Sequence, residues 1–324
     1  MLTGYGIDGK RLKPLGGADG VLERALWIDL FAPDPSEESR VEALIGIDVP
    51  TRAEMREIET SSQLYRHGDT TFATLRILSR SQGVAPVLVD TTFILTPGRL
   101  VTVRYGDPAP FRLFVAQAQQ ERGLADGVEG ILLGLIEAVV DRCADVLEEI
   151  SDDLARLSTL AFNRGEAETN PSIAAADLQN VIQRIGRNGD LSSLIRDSLH
   201  SLDRALPFLR LEDRGRSEGL ASRIETVRRD VRSLLDQDGY IVTKIQFLLD
   251  STLGLISIQQ NAIIKIFSVV SVILMPPTLI ASIYGMNFEH IPELHWRFGY
   301  PMALSAMLVS AILPYLYFRK RGWL

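Results

Sequence analysis

The sequence predicts an α+β cytoplasmic domain, a mixed sheet with helices, followed by a very long stalk helix and two C-terminal transmembrane helices. Three observations carry this reading. Residues 266–284 and 300–318 are two runs of nineteen residues without a charged side chain. Each is long enough to cross a hydrocarbon core of about 30 Å as a helix. Upstream, no proline falls between Ser217 and Pro276, so a single helix can run from the aqueous part into the first span. The first hundred residues instead alternate in strand fashion, broken by turn and cap signals.

Within that first part, residues 25–31 (ALWIDLF) alternate as a strand, and 70–78, 87–95 and 100–105 are strand-like. The last two flank Thr96-Pro97-Gly98-Arg99, which predicts a hairpin turn. Asp34, with Pro35 next and Glu37 three residues on, predicts a capped helix start, and Thr51 with Glu54 repeats the capping-box spacing. From about Pro110 the period becomes helical. Residues 127–163 and 172–210 form an expected antiparallel hairpin broken by the loop 164–171. Its acids, Asp141, Asp145, Glu148, Glu149, Asp152 and Asp153, are expected to be a solvated face. Pro276-Pro277 falls inside the first span and predicts a local kink or opening.

The resulting organisation begins with a cytoplasmic α/β domain at 1–125, a helical hairpin at 126–218 and a stalk helix at 219–265. A first transmembrane helix spans 266–287, an external loop 288–299, a second transmembrane helix 300–318 and a basic tail 319–324. Lys265 before the first span, and Arg319, Lys320 and Arg321 after the second, place both termini in the cytoplasm. The N-terminus carries no apolar core of signal-peptide length. The net charge of −7 sits largely in the aqueous part; it argues against a nucleic-acid partner and leaves divalent cations and membrane lipid as partners. The lone Cys143 can form no internal disulfide.

One face of the first span and its upstream helix reads Asp250, Gly254, Ser257, Asn261, Ile264, Ser268, Ser271, Met275, Thr278 and Ser282, at steps of three or four. That spacing is a single helical stripe. Inside the span it is mostly hydroxyl-bearing, while Ile266, Val269, Val270 and Val272 fill other faces. Hydroxyls also serve as packing between helices. A ring of identical first spans would instead turn the stripe toward a central pore.

The stripe ends at Tyr284-Gly285-Met286-Asn287, followed by Glu289, a Pro292-Glu293-Leu294 run and Trp296 to Pro301. This resembles the signature of the CorA family of divalent-cation channels, and the similarity extends to Met275-Pro276-Pro277-Thr278, the closing Trp323-Leu324 and Trp27-Ile28-Asp29-Leu30. The resemblance implies a funnel-shaped homopentamer in a bacterial inner membrane. It implies a selectivity filter at Gly285, Met286 and Asn287, pore-lining Asn261, Ile264, Phe267, Ser271, Met275 and Thr278, and an external loop with Glu289 and Glu293. It further implies influx of Mg²⁺, with Co²⁺ and Ni²⁺ as other substrates, and feedback closure by cytoplasmic Mg²⁺ at carboxylates such as Asp250 and Asp230. No resident cofactor follows; Mg²⁺ is substrate and regulatory ligand. The loop 79–86 contains no acid to complete the regulatory site.

Two alternatives stay open. A ZntB-like zinc transporter would share the fold, and His290 and His295 in the external loop suit zinc. Glu289 and Glu293 favour the magnesium branch. A membrane-anchored enzyme or signalling domain would need a catalytic constellation in residues 1–210. No phosphate-binding loop, dinucleotide fingerprint or His-Glu-x-x-His occurs there, so no enzymatic activity is expected.

Overall fold

The structure, a computed structural model, describes residues 1–16, 20–57, 59–79, 85–121, 123–162, 171–209, 218–286 and 296–323. The chain divides into two compact units, residues 1–163 with 183–248, and residues 164–182 with 249–324.

The first unit is built on a seven-stranded sheet in the order β2-β1-β3-β7-β6-β5-β4. Its strands are β1 (Leu2–Asp8), β2 (Arg11–Gly16), β3 (Trp27–Phe31), β4 (Leu64–His67), β5 (Thr70–Ser79), β6 (Val87–Leu95) and β7 (Leu100–Arg104). All pairings are antiparallel except β3 with β7, which are parallel with Asp29 opposite Thr102. The β6–β7 hairpin closes where Thr96 and Arg99 exchange backbone and hydroxyl hydrogen bonds, as the Thr-Pro-Gly-Arg turn requires.

Both faces of this sheet are covered, which is why β3 is apolar throughout apart from Asp29. On one face Ile28 and Leu30 join Leu2, Val41, Met55 and Val103 in a buried core. On the other, the Trp27 ring lies 6.3 Å from Phe111 and 6.1 Å from Phe114, both on α3 (Ala109–Gln120). Helix α1 (Pro35–Ile45) starts as its sequence dictates. The Asp34 carboxylate accepts from the backbone N–H of Ser36 and Glu37, and Glu37 accepts in return from Asp34 N–H. These bonds hold the Asp34 carboxyl below its usual range, since the charged form is the better acceptor. The Thr51–Glu54 pair makes the same reciprocal bonds, but caps a single 3₁₀ turn, Glu54–Arg56, rather than an α-helix. A four-residue helix, α2 (Thr60–Gln63), leads into β4.

Helix α4 (Gly127–Phe162) is followed by α5 (Pro171–Phe208) and α6 (Glu218–Tyr284), the last 67 residues long. Polar bonds tie the parts of these helices that belong to the first unit. Arg184 of α5 pairs with Asp153 of α4, and Asn188 Nδ2 donates to Asp153 at 3.0 Å. Arg223 of α6 donates to Glu137 of α4 at 2.6 Å. Asp238 of α6, fully buried, accepts from Ser192 and from Arg196 Nε at 2.6 Å, both on α5. The expected two-helix hairpin is thus completed by the first half of α6. The expected solvated acidic face holds only in part, because Asp153 is bonded inward.

The second unit contains the rest of α6 and α7 (Gly299–Lys320). Both are long and apolar enough to cross a membrane. Helix α6 continues through Pro276 and Pro277 without a break in its assignment.

Candidate ion-pathway surface

The stripe read from the sequence is a physical face of α6. Every member from Asp250 through Gly254, Ser257, Asn261, Ile264, Ser268, Ser271, Met275 and Thr278 to Ser282 is exposed. The other side of the same helix is covered within the unit: Val269 is buried, and Lys265, Ile273, Pro276, Pro277, Ile280 and Tyr284 are half-buried. These recur at three and four residues, so a single chain packs one side of α6 and leaves the stripe open. The covered face of α7 is Gly299, Ala303, Met307, Ser310, Ala311 and Pro314. It is rich in small residues, the composition of close helix contacts in membranes.

The hydroxyls of the stripe share one geometry. Ser268 Oγ donates to Ile264 O at 2.8 Å, Ser271 Oγ to Phe267 O at 2.8 Å, and Thr278 Oγ1 to Leu274 O at 2.7 Å. Each proton is committed to the helix backbone one turn back, so what faces outward is the oxygen's remaining lone pair. A stripe of outward acceptors suits cations or the water around them. Met275, 68% exposed, and Ile264, 62% exposed, interrupt it with apolar side chains. Phe267 is equally exposed beside it. Ser271, Met275, Thr278 and Ser282 with Leu274 and Leu279 line a shallow groove of about 560 Å³.

Helix α6 stops at Gly285, whose N–H donates to Ala281 O at 2.9 Å, while Met286 N–H reaches Ile283 O at 3.3 Å. A Cβ on Gly285 would lie 3.1 Å from Ala281 O, tighter than ordinary contact. The glycine therefore answers close backbone approach rather than a left-handed φ. Asn287, Glu289, Glu293, His290 and His295 lie outside the described residues, as does most of the loop 79–86.

The two acids read as regulatory ligands fall in different units. Asp250 is exposed on the stripe of the second unit. Asp230, in the first, is close enough to Asp141 of α4 to push that carboxyl up. Burial is the larger cause of the rise, and Glu137, Asp145 and Asp230 add repulsion. Among the described residues of one chain, no three His, Cys, Asp or Glu side chains are grouped to hold a metal.

Sequence reading missed a second feature of this unit. The end of α7 closes with Gly322 N–H on Arg319 O at 3.2 Å and Trp323 N–H on Phe318 O at 3.0 Å. Gly322 is left-handed at φ 69°, and the Phe318 and Trp323 rings stack at 5.4 Å. This is a Schellman stop with its apolar contact. Lys265, at the foot of the α6 span, donates to Gly322 O at 3.2 Å and lies 5.4 Å over the Trp323 ring. The signal was present, since Gly after basic residues marks a helix end.

The model of the family described as "CorA-like Mg2+ transporter protein" matches residues 23–320. The chain is 35% identical to the magnesium transport protein CorA of Sodalis glossinidius and 34% to that of Escherichia coli K12, over the whole of both chains in each case. Among solved structures it resembles the complete CorA magnesium transporter of Methanocaldococcus jannaschii. The TM-score there is 0.73 at 18% identity, covering 100% of this chain and 98% of that one. Full-length CmaX gives 0.69 at 16%, over 99% and 97%. The ZntB cytoplasmic domain of Vibrio parahaemolyticus gives 0.54 at 10%, over 78% and 96%. Those likenesses show a common fold, mixed sheet, long helix and two apolar C-terminal helices. On the family match and the full-length identity, this integral membrane protein belongs to the CorA-like Mg²⁺ transporter family.

Proposed function

We propose that the chain is one protomer of a homopentameric channel that admits hydrated Mg²⁺, and also Co²⁺ and Ni²⁺, along an axis lined by the open stripe of α6. The observation that carries this is the coincidence of that stripe with the face a single chain leaves uncovered, ending at the Gly285-Met286-Asn287 turn. Mg²⁺ holds its water tightly, so a pathway that hydrogen-bonds the hydrated ion with neutral oxygens avoids the cost of stripping it. Thr278, Ser271 and Asn261 offer such oxygens, and Asn287 would present a ring of them at the mouth. Weak neutral contacts also let the ion leave.

Met275 and Ile264 act as apolar constrictions that close by dewetting. Both termini lie in the cytoplasm of a bacterium with the inner membrane around α6 and α7, as Lys265 and the Arg319–Arg321 cations require. Mg²⁺ on the cytoplasmic side binds carboxylates shared between protomers, Asp250 and Asp230 among them, and favours the closed arrangement. A site assembled from several protomers is in keeping with the lack of a grouped ligand set among the described residues of one chain. No step makes or breaks a covalent bond, so the activity is transport and not catalysis.

The test is Mg²⁺ entry into liposomes holding the purified protein and an internal Mg²⁺ dye, with Zn²⁺ and a proton gradient as parallel arms. Wild type should carry Mg²⁺ without the gradient, and Asn287→Ala should abolish entry while the oligomer elutes unchanged. Normal Mg²⁺ flux in Asn287→Ala would overturn the filter assignment, and Zn²⁺ flux without Mg²⁺ flux would overturn the choice of ion.

A further inference from the structure

Four cations, Lys265, Arg319, Lys320 and Arg321, gather at one end of the two apolar helices. The stretch around them is free of acid. No Asp or Glu occurs from residue 251 to 286 or from 296 to 324. Arg319, Lys320 and Arg321 are exposed. Helix termini often spend basic side chains on their open carbonyls, but here the Schellman stop satisfies those carbonyls with backbone N–H groups. Arg321 lies 5.4 Å over the Tyr317 ring, and Lys265 is held against Trp323 and Gly322 O. The tail is therefore folded back, fixing cations beside the aromatic Tyr317, Phe318 and Trp323. Aromatic rings with cations at the end of an apolar helix are the side chains that settle at a headgroup layer.

We propose that this turn is a binding site for the phosphate of an anionic phospholipid, with Arg319 and Lys320 as the principal contacts, Arg321 and Lys265 reinforcing the field, and Trp323 seated at the glycerol level. The site serves the foot of α6 as well, because Lys265 is both part of it and bonded to the tail. The proposal rests on the membrane reading of α6 and α7 and is independent of ion transport. Its chemistry is that of a fixed cation cluster against anionic lipid, which weakens with salt within a Debye length.

The full-length protein is placed in mixed phosphatidylglycerol–phosphatidylcholine bilayers, and the association of each spin-labelled lipid with its surface is read by electron paramagnetic resonance. Wild type should prefer the phosphatidylglycerol probe by at least about threefold, and the preference should fall on raising salt. R319Q/K320Q/R321Q should bring the two lipids near parity, while R297Q, at the other end of α7, should not. Inorganic phosphate at constant ionic strength should leave the preference intact. Equal association of the two lipids with wild type overturns the proposal without recourse to any variant. So does an undiminished preference in the triple variant, or its loss to free phosphate, which would make the turn a soluble-anion site. A normal lipid preference with failed Mg²⁺ flux would reject the channel reading alone.

Discussion

Arg104 holds Asp29 in a bidentate pair across the parallel strands β3 and β7, with Nε 3.1 Å from Oδ1 and Nη2 2.8 Å from Oδ2. Both side chains are nearly buried. Thr102 Oγ1 donates to the same carboxylate at 2.7 Å and accepts from Trp27 Nε1 at 2.9 Å. The guanidinium lies between the Phe31 and Phe111 rings, at 4.5 and 4.8 Å. Burial works against its charge, yet hydrogen bonds and attraction from Asp29 and Asp107 leave it held more firmly protonated than an ordinary arginine. Removing one member of such a pair leaves the other charged and unpaired, at a cost of about 3–5 kcal/mol. Arg104→Met should therefore lower the denaturant midpoint of the full chain sharply. Replacing Asp29 and Arg104 together by apolar residues should recover most of that loss. A midpoint unchanged in Arg104→Met would show that the pair adds nothing.

Asp141 gives a prediction of opposite sign. Burial and its acidic neighbours raise its carboxyl above 3.8 in the folded protein, so the native state holds the proton more tightly than the unfolded chain does. Stability from this group is present at low pH and lost as pH rises through the folded value. At neutral pH Asp141 subtracts stability, so Asp141→Asn should raise the thermal midpoint. The advantage should shrink as pH falls through the raised value and vanish below the ordinary aspartate range, about pH 4. Thermal scans of both proteins across that range check it. A stability gap independent of pH would mean that the substitution acts through packing and not through charge.

Much of this architecture was legible because its signals are local. The Asp34 cap, the Thr96–Arg99 turn, the two apolar runs and the α6 stripe each depend on residues a few positions apart, and each is where the spacing puts it. Strands β1 and β2 were not legible. Their glycines and Pro14 weaken the alternation, and their pairing depends on Leu12 and Leu2 finding a core far away in sequence. Asp238 was equally hidden. Nothing near it distinguishes a buried carboxylate on α6 from the exposed Asp236 two residues earlier, because its partners Ser192 and Arg196 lie on α5. The candidate pathway was readable as a stripe. The direction of its hydroxyl protons was not, since that requires the helix carbonyls in place.

Those hydroxyls and the apolar breaks between them make separable predictions. Thr278→Val keeps shape and removes the outward oxygen, together with the bond to Leu274 O. It should reduce Mg²⁺ flux several-fold with assembly intact. Met275→Ser removes an exposed apolar side chain from the same face and should raise basal flux, because the barrier there is dewetting rather than binding. Both are read in the same liposome assay. If Met275→Ser lowers flux at normal expression, Met275 packs between helices and the constriction lies elsewhere.

Asp250 tests the feedback. A carboxylate on the open stripe, repeated around an axis, repels its copies when metal is absent and is neutralised when Mg²⁺ binds. Metal then favours whichever arrangement brings the carboxylates together. The equilibrium moves only by the difference in affinity between the two states, so the ring must be looser when the pathway is open. Asp250→Asn removes the repulsion and the ligand at once. It should abolish the extra protease resistance that Mg²⁺ confers and relieve inhibition of influx by internal Mg²⁺, while leaving Asn287-dependent entry in place. Asp230→Asn provides the comparison. Its neighbour Asp141 lies in the same chain, so it should change stability with pH more than it changes the Mg²⁺ response. If Asp250→Asn keeps the wild-type Mg²⁺ dependence and Asp230→Asn loses it, the sensor belongs to the α4–α6 acids and Asp250 is only a charge on the pathway.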